Sequence, residues 1–415
     1  MSLSLKGSPG IVYTAPWVIP IQGDILRDGA IAVRHGLILS LGSIPGLLQR
    51  YPEFHIVSYP GVFLPELVNS HIHLDLSCYG TVPVGKDNFS MCDWIRALLE
   101  KRMDMHFSYE EKYNAARKQV LKQFDAGVGL LLDIGNQKLA SYNSIDIKII
   151  SLLEMLGPTD AAGKSIMASL AALGKDIAIT GHAPYSTVAP LLQDIKKRAG
   201  KLETIFSLHV AENCDEAKLL FEGTGCFYEF LKERDALDKS FPIRTVACSS
   251  VVEYLSKLDL LDSNSICVHC VHVSREDIQI LAKSGSHICL CPSSNAFLKV
   301  GRAPLDSFID AGILPALGTD SITSNPDLDM WQEMAILRQN YPDVSAVTIL
   351  EMATIAGAMA LKSEQDYGTL RTGQKARFIH VDDPAFASVA SEDQIIAQLT
   401  GGGRPQCIER PCDAE

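Results

Sequence analysis

Short apolar runs recur between residues 62 and 319, and stretches with apolar positions every three or four residues fill the gaps. The runs predict strands at 62–70, 128–134, 147–155, 177–182, 205–211, 265–271, 287–291 and 314–319. Tyr109 to Phe124 and Glu276 to Ser284 carry the helical period. Strands alternating with helices in this way predict an α/β fold, a parallel (β/α)8 barrel of the TIM type. On either side the pattern changes. Ile11–Tyr13, Trp17–Ile19, Ala30–Val33 and Leu37–Leu41 are short strands separated by Gly and Asp, and Tyr367–Leu370 with Ala376–Val381 resemble them. The two ends, 1–61 and 366–415, are expected to form one small β-sandwich beside a barrel spanning 62–365.

Active sites of such barrels lie at the C-terminal ends of the strands, and these ends carry the chain's chemistry. The first run leads into His71-Ile72-His73. Alternate side chains of a strand point the same way, so this pair aims two imidazoles at one point, as a metal ion requires. Three later runs end in His209 with Glu212, in His269 with His272, and in Asp320. Leu76 to Phe107 is too long for a plain loop. Within it, Met91–Arg102 reads as a helix placed to wall the pocket beside the histidine pair, with Trp94 facing inward.

Composition narrows the partners. The 415 residues contain 37 Lys+Arg against 49 Asp+Glu, a net charge of −12 with no basic block, which argues against nucleic acid. No apolar run approaches the ~20 residues of a membrane helix, and Met1–Gly7 has no signal-peptide pattern. The 11 cysteines are odd in number, scattered and mostly in apolar runs, so reduced thiols in a cytoplasm are expected. Cys267-x-x-Cys270 lacks a second pair and reads as buried thiols, as do Cys289 and Cys291. His272 faces away from His269 by strand alternation and, with His35, His55, His106, His287 and His380, defaults to structure.

Taken together, the motifs resemble the amidohydrolase superfamily, and within it the mononuclear-zinc deaminases of adenine nucleosides. The matching pieces are Pro65-x-x-Val68-Asn69-x-His71-x-His73, Gly181-His182-Ala183-Pro184-Tyr185-Ser186, His209-Val210-Ala211-Glu212, Val268-His269-Cys270-Val271-His272, Cys291-Pro292-x-Ser294-Asn295 and Leu317-Gly318-Thr319-Asp320. Two positions depart from the family pattern: Glu66 stands where Gly is usual, and Arg377 where Asp is usual. Unusual packing of the small sheet is expected there.

The resemblance implies a role for each residue. His71, His73, His209 and Asp320 would hold one divalent metal, Zn2+ first, although such a ligand set also accepts Fe2+ or Mn2+. The metal would lower the pKa of its water. Asp320 would take the water's proton, Glu212 would carry it to a purine nitrogen, and His269 would orient the attacking oxygen. His182 would contact the purine, and Ser321 would join the substrate contacts. No lysine stands at the fourth strand end, which favours one metal over two.

Within the group, His71-x-His73-Leu74-Asp75-Leu76-Ser77 followed by Phe89, Trp94, Glu100 and Arg102 resembles the aminodeoxyfutalosine deaminases of menaquinone biosynthesis. Arg96 or Arg102 would then meet the substrate's benzoate, with Trp94 and Glu100 beside it. The alternatives are an S-adenosylhomocysteine/5'-methylthioadenosine deaminase, a chlorohydrolase-like hydrolase of another aminated heterocycle, and a non-catalytic binder on the same fold. No arginine lies between Arg117 and Arg198, where a zwitterionic substrate would need one. The expected partners are a small nucleoside and, at most, a second copy of the chain as a homodimer.

Overall fold

A computed structural model of the chain describes residues 10–83, 85, 90–137, 139, 142, 144–173, 177–243 and 247–411. Eight parallel strands form its centre: β6 (Leu67–Ile72), β7 (Val128–Gly135), β8 (Lys148–Met155), β9 (Ile179–Gly181), β10 (Phe206–Val210), β11 (Ser265–His269), β12 (His287–Leu290) and β13 (Ala316–Leu317). They pair in chain order as two four-stranded sheets, β6 to β9 and β10 to β13. Backbone contacts join the sheets on both sides. Ile72 and Asp320 form a parallel bridge, and the His209 N–H donates to the His182 carbonyl at 2.9 Å. Helices follow the strands except β7, which leads to β8 with no helix among the described residues between them, and Leu131, Leu192, Leu208, Leu281 and Leu317 are among the buried side chains of the main core.

The two ends of the chain share a seven-stranded sheet. It contains β1 (Ile11–Val18), β2 (Leu26–Arg34), β3 (Leu37–Ser43), β4 (His55–Ser58), β5 (Val62–Pro65), β14 (Phe378–Asp382) and β15 (Cys407–Glu409), in the order β15-β14-β5-β1-β2-β3 with β4 also against β1. The run expected to be one strand over 62–70 is therefore two. β5 pairs with β1 and β14, the chain turns at Glu66, and β6 begins the central strands.

Glu66 explains both departures from the family pattern. Its carboxylate is buried, 2.7 Å from Arg410 Nε and 3.6 Å from Arg377 NH1. One atypical residue thus answers the other. Gly129 has no side chain to occupy the space that the Glu66 carboxylate fills. Burial pushes the Glu66 carboxyl up, and Arg410 opposes that shift.

The cysteines differ in part from expectation. Cys267, Cys270, Cys289 and Cys291 are buried free thiols, but Cys92 and Cys226 form a disulfide across 134 residues. It links the helix Met91–Asp104 to the helix Cys226–Glu233. Among the described residues, no helix is long and apolar enough to cross a membrane.

Candidate active site

Three imidazoles and one carboxylate meet at the strand ends. His73 Nε2 lies 3.1 Å from His71 Nε2, and His209 Nε2 lies 3.2 Å from the same atom. Asp320 Oδ1 is 3.7 Å from His71 Nε2 and 3.5 Å from His73 Nε2. All four side chains are buried. Local backbone structure sets this aim: His71 is the last but one residue of β6, His73 follows its end, and the Asp320 N–H donates to the His71 carbonyl at 3.0 Å.

This donor set fits a divalent cation. Burial lowers the pKa of His71, of His73 to about 3, and of His209, so the rings are neutral. His209 Nδ1 is 2.9 Å from the His182 carbonyl and donates to it, which leaves Nε2 with a lone pair. Nitrogens crowded this closely cannot all be satisfied by the few protons they share; a metal ion satisfies them together. Burial raises the Asp320 carboxyl, but His71, His73 and His269 outweigh that and hold it well below the usual range. Ser294 Oγ at 2.6 Å and Ser324 Oγ at 3.0 Å donate to Asp320 Oδ2, and the Ser321 N–H donates to Oδ1 at 2.7 Å. These bonds fix the carboxylate as outer partners of metal ligands commonly do.

Glu212 and His269 stand beside this cluster, with Glu212 Oε1 3.6 Å from His269 Nε2. Burial, then the Asp320 charge, pushes the Glu212 carboxyl well above its ordinary value, which favours its protonated form. Its backbone is pinned by Glu216, whose carboxylate accepts from the N–H groups of Ala211, Glu212 and Asn213 at 3.0, 2.7 and 3.3 Å.

Aiming these groups strains the chain. Ala211, His269, Cys270 and Asp320 have φ of 48°, 73°, 45° and 60°, the left-handed region that L residues avoid. Each costs about 1–2 kcal/mol, and such outliers gather at functional sites.

Residues 62–409 match the model of the Amidohydrolase family. The chain belongs to that family. Similar sequences include the 5-methylthioadenosine/S-adenosylhomocysteine deaminases of Moorella thermoacetica, 27% identical over 88% of this chain and 84% of that protein, and of Syntrophus aciditrophicus, 28% identical over 86% and 80%. Similar solved structures include Helicobacter pylori aminofutalosine deaminase in complex with methylthio-coformycin, with a TM-score of 0.79 at 21% identity over 96% of this chain and 97% of that one. A zinc-bound adenosine deaminase from Xanthomonas campestris gives a TM-score of 0.74 at 20% identity over 96% and 91%. These structures share the fold.

The amidohydrolase site opens into a cavity of about 970 Å³ including its mouth. His182, Trp94, Arg102 and Ser321 line it together with Glu212, His269 and Asp320. His182 Nδ1 is 2.6 Å from Ser186 Oγ, and burial lowers its pKa to about 4. Trp94 donates its indole N–H to the Thr323 carbonyl at 3.3 Å. Leu98, Leu156, Phe230 and Leu298 supply apolar wall. The disulfide clips together the two helices that carry Trp94 and Phe230.

Two residues grouped with these by sequence lie elsewhere. Glu100 is exposed and does not line the cavity. On the helix it is six residues past Trp94, well off the stripe formed by Met91, Trp94 and Leu98. Arg96 is held outside by Asp93 Oδ1 at 3.0 Å and Glu233 Oε2 at 2.9 Å. Phe89 lies outside the described residues.

Other residues of the site were not singled out in the sequence. Asp75, quoted only inside the run His71–Ser77, lines the cavity with Asn136 and Glu154 from the ends of the first three central strands. Asn295, visible only inside the Cys291-Pro292-x-Ser294-Asn295 motif, lies against His269.

Proposed function

We propose that this amidohydrolase removes the 6-amino group of an adenine nucleoside by hydrolysis, adding water and releasing ammonia to leave a hypoxanthine. The observation carrying this reading is the buried His71-His73-His209-Asp320 cluster with Glu212 and His269 beside it, all lining one cavity or buried against it. His71, His73, His209 and Asp320 would hold a divalent cation, which would supply an acidified water. Asp320 would also accept the attacking water's proton. Glu212 donates its proton to a ring nitrogen of the purine, which makes the adjacent carbon electrophilic. His269 steadies the oxygen that adds there, and His182 flanks the ring. A proton returned to the amino group lets it leave as ammonia.

The substrate we infer is 6-amino-6-deoxyfutalosine, an intermediate of menaquinone biosynthesis. Arg102 supports this reading, because it is the cation among the described residues lining the cavity. A single cation with an apolar slot suits a benzoate, whereas a zwitterionic amino acid needs partners for both charges. The names of the related sequences favour a second reading, a 5'-methylthioadenosine/S-adenosylhomocysteine deaminase. Ammonia release from a panel of adenine nucleosides separates the two. Aminodeoxyfutalosine is expected to exceed S-adenosylhomocysteine in kcat/KM by ~10-fold, about 1.4 kcal/mol. Arg102→Ala should erase that margin while leaving 5'-methylthioadenosine unaffected. A preference for S-adenosylhomocysteine would establish the second reading, and no ammonia from any nucleoside would end both.

A further inference from the structure

β14 and β15 pair antiparallel at one edge of the terminal sheet, with His380 opposite Glu409, Val381 opposite Ile408 and Asp382 opposite Cys407. Alternation along each strand turns Val381 and Ile408 toward the main core and gathers His380, Asp382, Cys407 and Glu409 on the other face. The His380 ring is buried beside Tyr59 and Phe63, with ring centres 4.8 and 5.9 Å away. Its Nε2 lies 2.6 Å from the Pro60 carbonyl. A carbonyl only accepts, so Nε2 carries the hydrogen and Nδ1 of the neutral ring has a lone pair. That lone pair meets Glu409 Oε2 at 3.4 Å, and the carboxylate is an acceptor too. Two acceptors set face to face need a positive charge between them, either a second ring proton or a metal ion. A proton would serve the pair alone. Here a third donor joins them, because the ligand atoms of His380, Cys407 and Glu409 all lie within 4.8 Å of one another.

We propose that His380, Cys407 and Glu409 bind a divalent cation of the zinc class, at a second site separate from the amidohydrolase cluster. Imidazole, thiolate and carboxylate are donors that a borderline-soft cation accepts, whereas calcium and magnesium call for oxygens. A nitrogen and an oxygen at their usual bond lengths from one tetrahedral zinc stand about 3.4 Å apart. Nδ1 and Oε2 already have that spacing. Donation of the other ring N–H to a backbone carbonyl is how ligand histidines are commonly oriented. Glu409 is exposed, Cys407 is half-buried, and Cys407 lines a surface cavity with Pro60 and Asp382. The ion, and a water for its fourth position, therefore reach the site from solvent. On binding, the Cys407 S–H gives its proton to solvent and the sulfur bonds the cation. With three ligands, one of them exposed, the site binds more weakly than the buried four-ligand cluster and fills second. Once filled, it ties β15 to β14 immediately before Arg410, the residue that reaches Glu66.

The test titrates cobalt(II) into the metal-free full-length protein. Cobalt(II) bound to a thiolate has a near-ultraviolet charge-transfer band, and the His71-His73-His209-Asp320 cluster has no sulfur to produce one. The band should rise after the first equivalent and be bleached when zinc displaces the cobalt. Cys407→Ser should abolish it. Glu409→Gln, at an exposed position, should keep the band but need ~10-fold or more cobalt to reach it. The first equivalent should bind alike in both variants. Cobalt that binds the unmodified protein without the band would overturn the inference and leave a proton between His380 and Glu409. A band that persists in Cys407→Ser would overturn it too, since another cysteine would then hold the ion. A second measurement needs no variant: zinc beyond one equivalent should shield Cys407 from alkylation by iodoacetamide, read by mass spectrometry. Alkylation at the same rate with and without that zinc would count against the site as decisively.

Discussion

Asn295 Oδ1 lies 2.8 Å from His269 Nδ1, and this contact sets the tautomer of the ring. An amide oxygen only accepts, so Nδ1 carries the hydrogen. Nε2 is left with a lone pair that has no protein partner and faces the cluster. His269 Nε2 is therefore free to accept a hydrogen bond, as the proposed role beside the attacking oxygen requires. Asn295→Ala frees the ring to take the other tautomer. We expect kcat to fall ~10-fold or more with metal content unchanged, measured by steady-state kinetics beside elemental analysis.

Glu212→Gln preserves size and removes the proton carrier. Turnover should fall by ~10²-fold or more, with the metal retained. Near-normal turnover would show that the proton reaches the purine by another route.

Removing the cation should abolish activity, and adding zinc back should restore it. Asp320→Asn keeps the shape of the ligand but loses its charge, so affinity for the metal should drop sharply. The bound metal also stabilises the fold by mass action. Chelation is therefore expected to lower Tm in the unmodified protein and to have little effect on the Asp320→Asn variant. Equal shifts in both would place the cation outside this cluster.

Asp133 lies under the site, where its carboxylate accepts the Leu74 N–H at 3.0 Å. Burial, with the Asp75 charge adding to it, raises its pKa from 3.8 to about 7. Between those values the folded state holds a proton that the unfolded state has released. Stability from this group is complete below 3.8 and drains away as pH rises through about 7. Asp133→Asn removes the titration. Its curve of unfolding free energy against pH should be flatter than the parent's across that window, by a slope of up to one proton. Parallel curves would mean that the group keeps its ordinary pKa in the fold.

The central strands were legible in the chain because they are apolar runs, and β6, β9, β10, β11 and β13 lead into chemically distinctive residues. His71, His73, His209, Glu212, His269 and Asp320 could be read for the same reason. Three features could not. The break at Glu66 sits inside a run that reads as continuous, and the arginine that satisfies it is 344 residues away. Cys92 and Cys226 are too far apart in sequence for their spacing to suggest a bond. Asp75, Asn136 and Glu154 are single polar residues at three separate strand ends, and only the neighbouring of those strands makes them a group. Glu100 shows the converse error, where closeness in sequence to Trp94 misled because the helix turns it outward.

The left-handed backbone at Ala211, His269, Cys270 and Asp320 bears on how the protein can change over time. These residues occupy conformations that glycine would adopt freely. At these four positions glycine would relieve backbone strain while removing the side chains at His269 and Asp320 that the cluster uses, so backbone ease and chemistry pull in opposite directions there.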